Sequence, residues 1–345
     1  MDPDIKQKIG KFGLKVSQMG LGGAPFGNWA ISLEEQSVID TIEAAYKAGI
    51  RYFDTAPLYG YGLSESRYGN GLSRYSRDNF VISTKVGRTL VKTSKTPVDP
   101  FFVNTPSLET EFDYSRDAVL RSIEGSLQRL QTDRIDILLI HDPDEGAGIM
   151  SGAFDPYSTS HFSEVMEQTY PILNELRTQK VVGAIGLGMN QWQMLYDFAK
   201  EGDFDCFLLA GRYTLLEQEP LEQLLPICEE KNIRIIIGGP YNSGILATGA
   251  IEGAYYNYMP APLNIIDLTR RIEDVCTRYQ VSLQAAALQF PFGHPAIATI
   301  IPGARSVDEI ESNITFFREK IPADFWKELR DLELVRPNTP LPKSE

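Results

Sequence analysis

Eight short apolar runs, separated almost from end to end by segments of helical periodicity, constrain this chain more than any other feature. The runs fall at 17–22, 51–56, 80–86, 135–141, 183–189, 206–211, 234–239 and 298–303, each rich in Val, Ile, Leu or Phe. Most are continuously apolar rather than alternating, which suits strands covered on both faces. Helical patterns occupy 33–48, 115–130, 163–179, 191–201, 220–231, 265–280 and 307–317, with a terminal helix near 322–334. In the first of these, Val38, Ile39, Ile42, Ala45 and Tyr46 share a face and Gly49 stands at the C-cap, while Ser115 is placed to cap the second.

Strands joined by helices imply parallel pairing. Eight of them with no Pro/Ser-rich linker or break in composition favour an α/β fold of the (β/α)8 TIM-barrel type. It is read as one unit over 1–345 with its core at about 14–334. A doubly wound dinucleotide fold would need a glycine fingerprint. The nearest match, Gly186-Leu187-Gly188-Met189-Asn190-Gln191, has Gln at the third glycine and no suitably placed acid on a following strand. Three long segments, 88–114, 142–162 and 250–264, follow strands and so crowd the C-terminal rim, where barrels carry their sites. The residues before 11–16 are expected to form an N-terminal hairpin plugging the opposite end.

Composition excludes some partners. With 33 Lys and Arg against 46 Asp and Glu the net charge is −13, a poor match to nucleic acid or an anionic membrane. No apolar run nears the ~18 residues of a membrane span, and the first residues lack the basic and apolar blocks of a secretory signal. Cys206, Cys228 and Cys276 are odd in number and scattered, which argues for inert thiols in a reducing cytoplasm. Asp142, Asp144 and Glu145 have too few companions to suggest a metal, and none is expected.

Four polar residues interrupt or follow apolar strands: Asp54, Tyr59, Lys85 and His141. In a barrel they converge on one rim from three neighbouring strands. A strand-end lysine needs a counter-charge, which Asp54 supplies, and a lysine ammonium near a tyrosine pushes the phenol below its usual ~10. Such a phenol exchanges protons near neutral pH, and a neutral histidine alongside can orient a substrate oxygen. Singly, each has a bland reading: a strand-end cap, a snorkelling lysine, a core histidine, a packing tyrosine. Their joint placement favours catalysis.

The stretches Phe53-Asp54-Thr55-Ala56-Pro57-Leu58-Tyr59-Gly60 with Ser64-Glu65, Ser83-Thr84-Lys85, and Leu127-Gln128-Arg129-Leu130 with Asp133-Arg134-Ile135-Asp136-Ile137 and His141 resemble the aldo-keto reductases from about Leu14 to Leu334. The resemblance implies a barrel with a nicotinamide cofactor at its rim and no metal. Tyr59 is then the general acid/base, Lys85 lowers its pKa, Asp54 pairs with Lys85, and His141 orients the substrate. Further stretches, among them Gly22–Asn28 and Tyr241-Asn242-Ser243-Gly244, look like a narrower group, the D-threo-aldose 1-dehydrogenases, including L-fucose dehydrogenase-like enzymes; pyridoxal 4-dehydrogenase-like enzymes share the pattern. The implied activity is oxidation of an aldose at its anomeric carbon to the lactone. Pyridoxal oxidation, aldehyde or ketone reduction with NADPH, and a slow cofactor-sensing regulatory subunit are the alternatives. The partner is a small molecule, and the protein a monomer or homodimer.

The sequence departs from the broad family where the nicotinamide carboxamide is held. Gly188-Met189 replaces Ser-Asn, Ala210 replaces Gln, and Gly238 replaces the stacking aromatic, so Asn190 and Tyr213 are the candidate substitutes, with a helix N-cap as the other reading of Asn190. For the phosphates, Pro240, Asn242 and Gly244 follow strand seven and Gly303 follows strand eight, where glycine allows close backbone approach. Glu309 and Gly303 stand where NADPH-preferring relatives carry cations, which favours NAD. Arg305 leaves NADP as the alternative, and Asn313 matches the adenine contact. Trp29, Tyr255, Tyr256 and Tyr258 are candidate substrate walls.

Overall fold

The computed structural model describes residues 1–94, 99–146 and 159–343. The chain opens with an antiparallel hairpin, β1 (Lys6–Ile9) and β2 (Leu14–Ser17). Three barrel strands follow: β3 (Leu21–Gly22), β4 (Tyr52–Asp54) and β5 (Val81–Val86). A second hairpin, β6 (Arg88–Lys92) with β7 (Leu108–Phe112), rises from the rim. The barrel continues with β8 (Ile137–His141), β9 (Ala184–Met189), β10 (Cys206–Ala210) and β11 (Arg234–Gly238). After the small rim hairpin β12 (Tyr255–Tyr256) and β13 (Met259–Pro260), β14 (Ile297–Ile301) is the last strand.

The barrel strands run β3-β4-β5-β8-β9-β10-β11-β14, and each neighbouring pair is parallel. Parallel bridges Met19↔Ile300 and Gly22↔Gly303 join the two ends. Each strand lies on one of the eight expected runs, β14 starting one residue early. Gly303 belongs to this seam. A Cβ there would come 2.7 Å from Pro25 Cγ, so its glycine is explained by closure rather than by approach to a ligand.

Two apolar layers follow from the geometry. The inner layer joins Tyr52, Val81, Ile137, Leu139, Ala184, Cys206, Leu208, Ile236 and Ala298 to Ile9 and Val16 of the hairpin, which fills the bottom of the barrel as expected. The outer layer seats the helices through residues such as Val38, Ile42, Val119, Leu195, Phe198, Ile272 and Phe317. Ser115 caps the helix Arg116–Leu130 by accepting from Ala118 N–H at 3.4 Å. Cys206, Cys228 and Cys276 are free and buried. Among the described residues no helix is long and apolar enough to cross a membrane.

The structure adds helices that periodicity does not reveal, Leu63–Leu72 and Leu283–Gln289. The first contains two glycines, which weaken a helix by about 1 kcal/mol each relative to alanine, yet both are required. A Cβ at Gly69 would stand 2.7 Å from the Arg129 carbonyl oxygen, and one at Gly71 2.7 Å from Ile42 Cδ1. The expected loop 88–114 contains β6 and β7, whose short polar strands lack the apolar runs used to find the others. Most of 142–162 lies outside the described residues.

Gly186 of β9 faces Cys206 of β10, where a Cβ would fall 1.8 Å from the Cys206 carbonyl oxygen. Gly186→Ala is expected to lower unfolding stability by about 3 kcal/mol or more, read as a fall in the urea midpoint. Gly13→Ala, at φ +74° with nothing within 4 Å of its Cβ position, should cost only about 1 kcal/mol.

Candidate active site

The deepest feature of the rim is a buried ion pair. Asp54 ends β4 opposite Ser83 of β5, and Lys85 lies two residues further along β5 on the same face. The Lys85 side chain is 1% exposed, and Nζ donates to Asp54 Oδ2 at 2.8 Å, to Asp54 Oδ1 at 3.0 Å and to the Thr55 carbonyl at 2.8 Å. Ser83 Oγ donates to Asp54 Oδ1 at 2.7 Å. Gly188 of β9 leaves room for the lysine stem, since a Cβ there would come 3.2 Å from Lys85 Cε. All three ammonium protons have acceptors, the condition under which a buried charge is tolerated.

A second polar layer braces the first. Glu65, fully buried, accepts from Thr84 Oγ1 at 2.7 Å and from Arg129 Nε at 2.6 Å, tying helix Leu63–Leu72 to β5 and to helix Arg116–Leu130. Ser64 Oγ donates to the Gly23 carbonyl at 2.7 Å and lies 2.9 Å from Thr55 Oγ1. These contacts give structural work to motif residues that carry no chemistry themselves.

Tyr59 sits in the turn after β4. Gly60, at φ +63°, packs backbone against backbone on Gly27, and a Cβ on Gly60 would meet the Gly27 carbonyl oxygen at 2.4 Å. Lys85 Nζ lies 4.8 Å from the Tyr59 ring centroid. The expected proximity is therefore present, but the expected acidity is not: the phenol is pushed well above its usual value, by burial first and then by Asp54 and Asp142, with Arg88 opposing. The physical reason is that Lys85 comes with its own carboxylate 2.8 Å away, so the pair presents a dipole to the phenol rather than a net positive charge.

His141 ends β8, 5.9 Å from Tyr59 between ring centroids. Burial, then Arg88 and Lys85, hold its pKa well below the usual histidine value, so the imidazole is neutral. Among the described residues its buried Nδ1 has no partner, and Nε2 lies 3.6 Å from Asp142 Oδ2. Asp142 turns at φ +42°, is 3.3 Å from Arg88 Nη1, and is steadied by Tyr114, whose hydroxyl donates to the carbonyls of His141 and Asp142. Burial and Asp142 push the neighbouring Asp144 carboxyl up to about 7. Among the described residues no group of three His, Cys, Asp or Glu side chains is arranged to hold a metal.

An aromatic wall faces this cluster. Trp29 stacks on Phe101 at 4.6 Å and meets Phe102 edge-on at 5.2 Å, while Phe102 lies 6.4 Å from Tyr59. Tyr258 completes the wall, 6.0 Å from both Trp29 and Phe101. The structure does not bring Tyr255 or Tyr256 to the wall. Tyr255 is 52% exposed, and the Tyr256 hydroxyl is taken up by Glu217, to which it donates at 2.7 Å. Phe101 and Phe102 were not anticipated; a pair of aromatics in the loop after the Lys85 strand was the available signal.

The remaining candidates line a path away from the wall. Asn190 donates through Nδ2 to the Ala210 carbonyl at 3.0 Å and to the Tyr258 hydroxyl at 3.2 Å, with no described donor to its Oδ1. Tyr213 is fully buried in the outer layer against Phe290 and His294, and among the described residues its hydroxyl has no hydrogen-bond partner. Past Asn190, Gly211 (φ +66°), Gly239 (φ +54°) and Gly244 (φ +113°) form a bare stretch of backbone beside Pro240, and no atom comes within 4 Å of a Cβ built on Gly244. Asn242 donates to the Gly211 carbonyl at 3.0 Å, and its buried Oδ1 has no partner among the described residues. Further on, Glu309 accepts from the Arg305 backbone N–H at 2.8 Å and pairs with its guanidinium at 3.2 Å. Asn313 accepts from the Tyr241 hydroxyl at 2.7 Å. A cradle that side chains would fill, flanked by the unpartnered amide oxygen of Asn242, fits an extended dinucleotide.

Residues 18–333 match the Aldo/keto reductase family. The chain is 38% identical over 340 residues to pyridoxal 4-dehydrogenase of Microbacterium luteolum, covering 96% of this chain and 98% of that protein. It is 35% identical over 329 residues to D-threo-aldose 1-dehydrogenase of a Pseudomonas species, covering 94% and 96%. Its fold matches the holo form of an aldo-keto reductase from Bacillus halodurans with a TM-score of 0.74 over 96% of each chain, at 22% identity. A closed eight-stranded barrel, a lysine–aspartate pair at its mouth and these relatives over nearly the full length lead to one conclusion: the chain belongs to the aldo/keto reductase family and is an NAD(P)-dependent oxidoreductase.

Proposed function

We propose that this enzyme oxidises a cyclic hemiacetal, an aldose at its anomeric carbon or the ring form of pyridoxal, to the corresponding lactone. The observation that carries the reading is the Tyr59 ring set between the buried Lys85–Asp54 pair and the neutral His141, beneath an aromatic wall. Flat apolar surfaces suit the faces of a pyranose and of a pyridine ring alike. The two relatives, named for pyridoxal and for D-threo-aldoses, support the same class.

The substrate hydroxyl is held between Tyr59 and His141. Tyr59 in its phenolate form takes the hydroxyl proton, while the C–H bond on the same carbon breaks with its electron pair and the C=O bond of the lactone forms. A bound oxidised nicotinamide supplies the hydride acceptor. His141, being neutral, donates one hydrogen bond to the oxygen and keeps it oriented. Asn190 is the candidate holder of the carboxamide. The bare backbone at Gly211, Gly239 and Gly244 would receive the phosphates. Because the phenol is pushed up, the protonated form dominates at neutral pH, and this favours the reverse reaction, carbonyl reduction with Tyr59 as the acid, as the second reading.

Oxidation needs the phenolate and reduction the phenol. The oxidative kcat should therefore climb from pH 7 to 10 without a plateau below about 9, while the reductive rate stays nearly flat over the same range. Tyr59→Phe should lower kcat in both directions by about 10²–10⁴ and flatten the profile. Cofactor affinity should stay within about twofold. A variant of near-normal rate would remove Tyr59 from this role.

A panel of aldoses including L-fucose, with pyridoxal alongside, followed by absorbance of the reduced cofactor with NAD⁺ and NADP⁺ in parallel, tests the substrate class. Turnover of at least one ring hemiacetal is expected; reduction of simple aldehydes alone would leave only the reductase reading.

NAD is the proposed cofactor, because Glu309 would repel a 2′-phosphate and already occupies Arg305. Glu309→Gln frees that guanidinium. The ratio of kcat/KM for NADP⁺ to that for NAD⁺ should rise about tenfold, equivalent to about 1.4 kcal/mol.

A further inference from the structure

β12 and β13 are joined by the shortest hairpin connection. Tyr255 pairs with Pro260 and Tyr256 with Met259, so Asn257 and Tyr258 are the two turn residues. Both are left-handed, at φ +50° and +64°. A two-residue turn with both φ positive is the type I′ form, which selects Asn followed by Gly. Asn257 obeys that preference and Tyr258 does not. A tyrosine in this region costs about 1–2 kcal/mol, and such strain persists where surrounding contacts over-determine it.

Several contacts hold Tyr258 in this conformation. The strand beside the turn is tied down by Tyr256 to Glu217 at 2.7 Å, and the turn itself by the Arg212 guanidinium bonding to Asn257 Oδ1. The Tyr258 backbone N–H donates to Ser243 Oγ at 2.9 Å. Its hydroxyl accepts from Asn190 Nδ2 at 3.2 Å, and its ring reaches across the rim to Trp29 and Phe101, at 6.0 Å from each. From Trp29 the wall continues through Phe102, at 5.2 Å, to the Tyr59 ring, 6.4 Å from Phe102. Accepting from Asn190 leaves the Tyr258 hydroxyl proton without an acceptor among the described residues.

We propose that Tyr258 is a specificity-determining residue. Its strained position at the hairpin tip brings its ring beside Trp29 and Phe101 as the outer wall against a ring substrate, and presents its O–H to an oxygen on that ring. The proposal rests on the hemiacetal reading above and names what enforces the preference for a ring over a small acyclic carbonyl. Bound through Asn190, the same hydroxyl fixes the wall relative to the candidate carboxamide holder.

Tyr258→Gly and Tyr258→Phe test it. Thermal melts, kcat and KM are measured for L-fucose and pyridoxal with NAD⁺, and for methylglyoxal, a small acyclic carbonyl, with NADH. Titration calorimetry of the two ring compounds into the enzyme–NADH complex gives affinity independently of turnover. Tyr258→Gly converts the turn to Asn-Gly, so its melting temperature should hold or rise. Its kcat/KM ratio for ring over acyclic substrate should fall about tenfold or more, chiefly through KM, with ring affinity weakened in parallel. Tyr258→Phe keeps the wall and should lose about threefold to tenfold in ring kcat/KM. An unchanged ring-to-acyclic ratio with unchanged ring affinity would overturn the proposal. So would a loss shared equally by both substrates, through a lower melting temperature or weaker NAD⁺ binding. Ring binding that weakens in the variants of an enzyme that turns over no ring compound would defeat the hemiacetal reading while upholding Tyr258. An enzyme that neither binds nor oxidises a ring compound would defeat both.

Discussion

A lysine ammonium 1% exposed at the mouth of a parallel barrel is the constraint around which the rest of this rim is arranged. Such a charge survives only with its counter-charge and all its protons satisfied. That requirement fixes the register of β4 against β5, so that Asp54 and Ser83 lie side by side, and it requires a residue as small as Gly188 on the β9 side. The same neutralisation limits what Lys85 does to its neighbour. The counter-charge that makes the buried lysine tolerable also cancels much of its field at the phenol, and burial then governs Tyr59.

Support for the pair extends outward in two steps. Thr55 and Ser64 join the β4 turn to the loop after β3, and Glu65 bridges Thr84 to Arg129 two elements away. Glu65 is as buried as Asp54 and Lys85, and its contacts are to Thr84 and Arg129. Its worth lies in position, because an uncompensated carboxylate there would cost several kcal/mol. This explains why the motif from Phe53 to Glu65 is longer than the chemistry it contains.

The barrel was legible because its strands are covered on both faces and write themselves as apolar runs. The tetrad was legible because charge and phenol stand out at the ends of such runs. What escaped notice lacks either mark. Helix Leu63–Leu72 hides behind the two glycines that let it approach Arg129 and Ile42. Among the tyrosines of the 250–264 loop, only the turn geometry at Asn257 and Tyr258 separates the one that meets Trp29 from the two that point elsewhere. Tyr213 follows β10 as a cofactor contact should, but its ring is spent on packing against Phe290. Sequence places a residue at a rim; it does not say which side of the strand end the side chain takes.

The charges around His141 decide which group handles the proton. Asp142 lies 3.6 Å from Nε2, close enough to favour an imidazolium, yet burial together with Arg88 and Lys85 drives the ring the other way. A histidine held neutral cannot be the acid for an alkoxide at neutral pH, but it can donate one well-directed hydrogen bond. Tyr59 sees the opposite balance, with burial, Asp54 and Asp142 all favouring its protonated form. The two residues are thereby separated in function by the same cluster of charges. In the proposed mechanism proton transfer therefore falls to the phenol and orientation to the imidazole, and Asp142, pushing on the phenol while Arg88 restrains it, is the group through which substitutions in the rim would shift that balance.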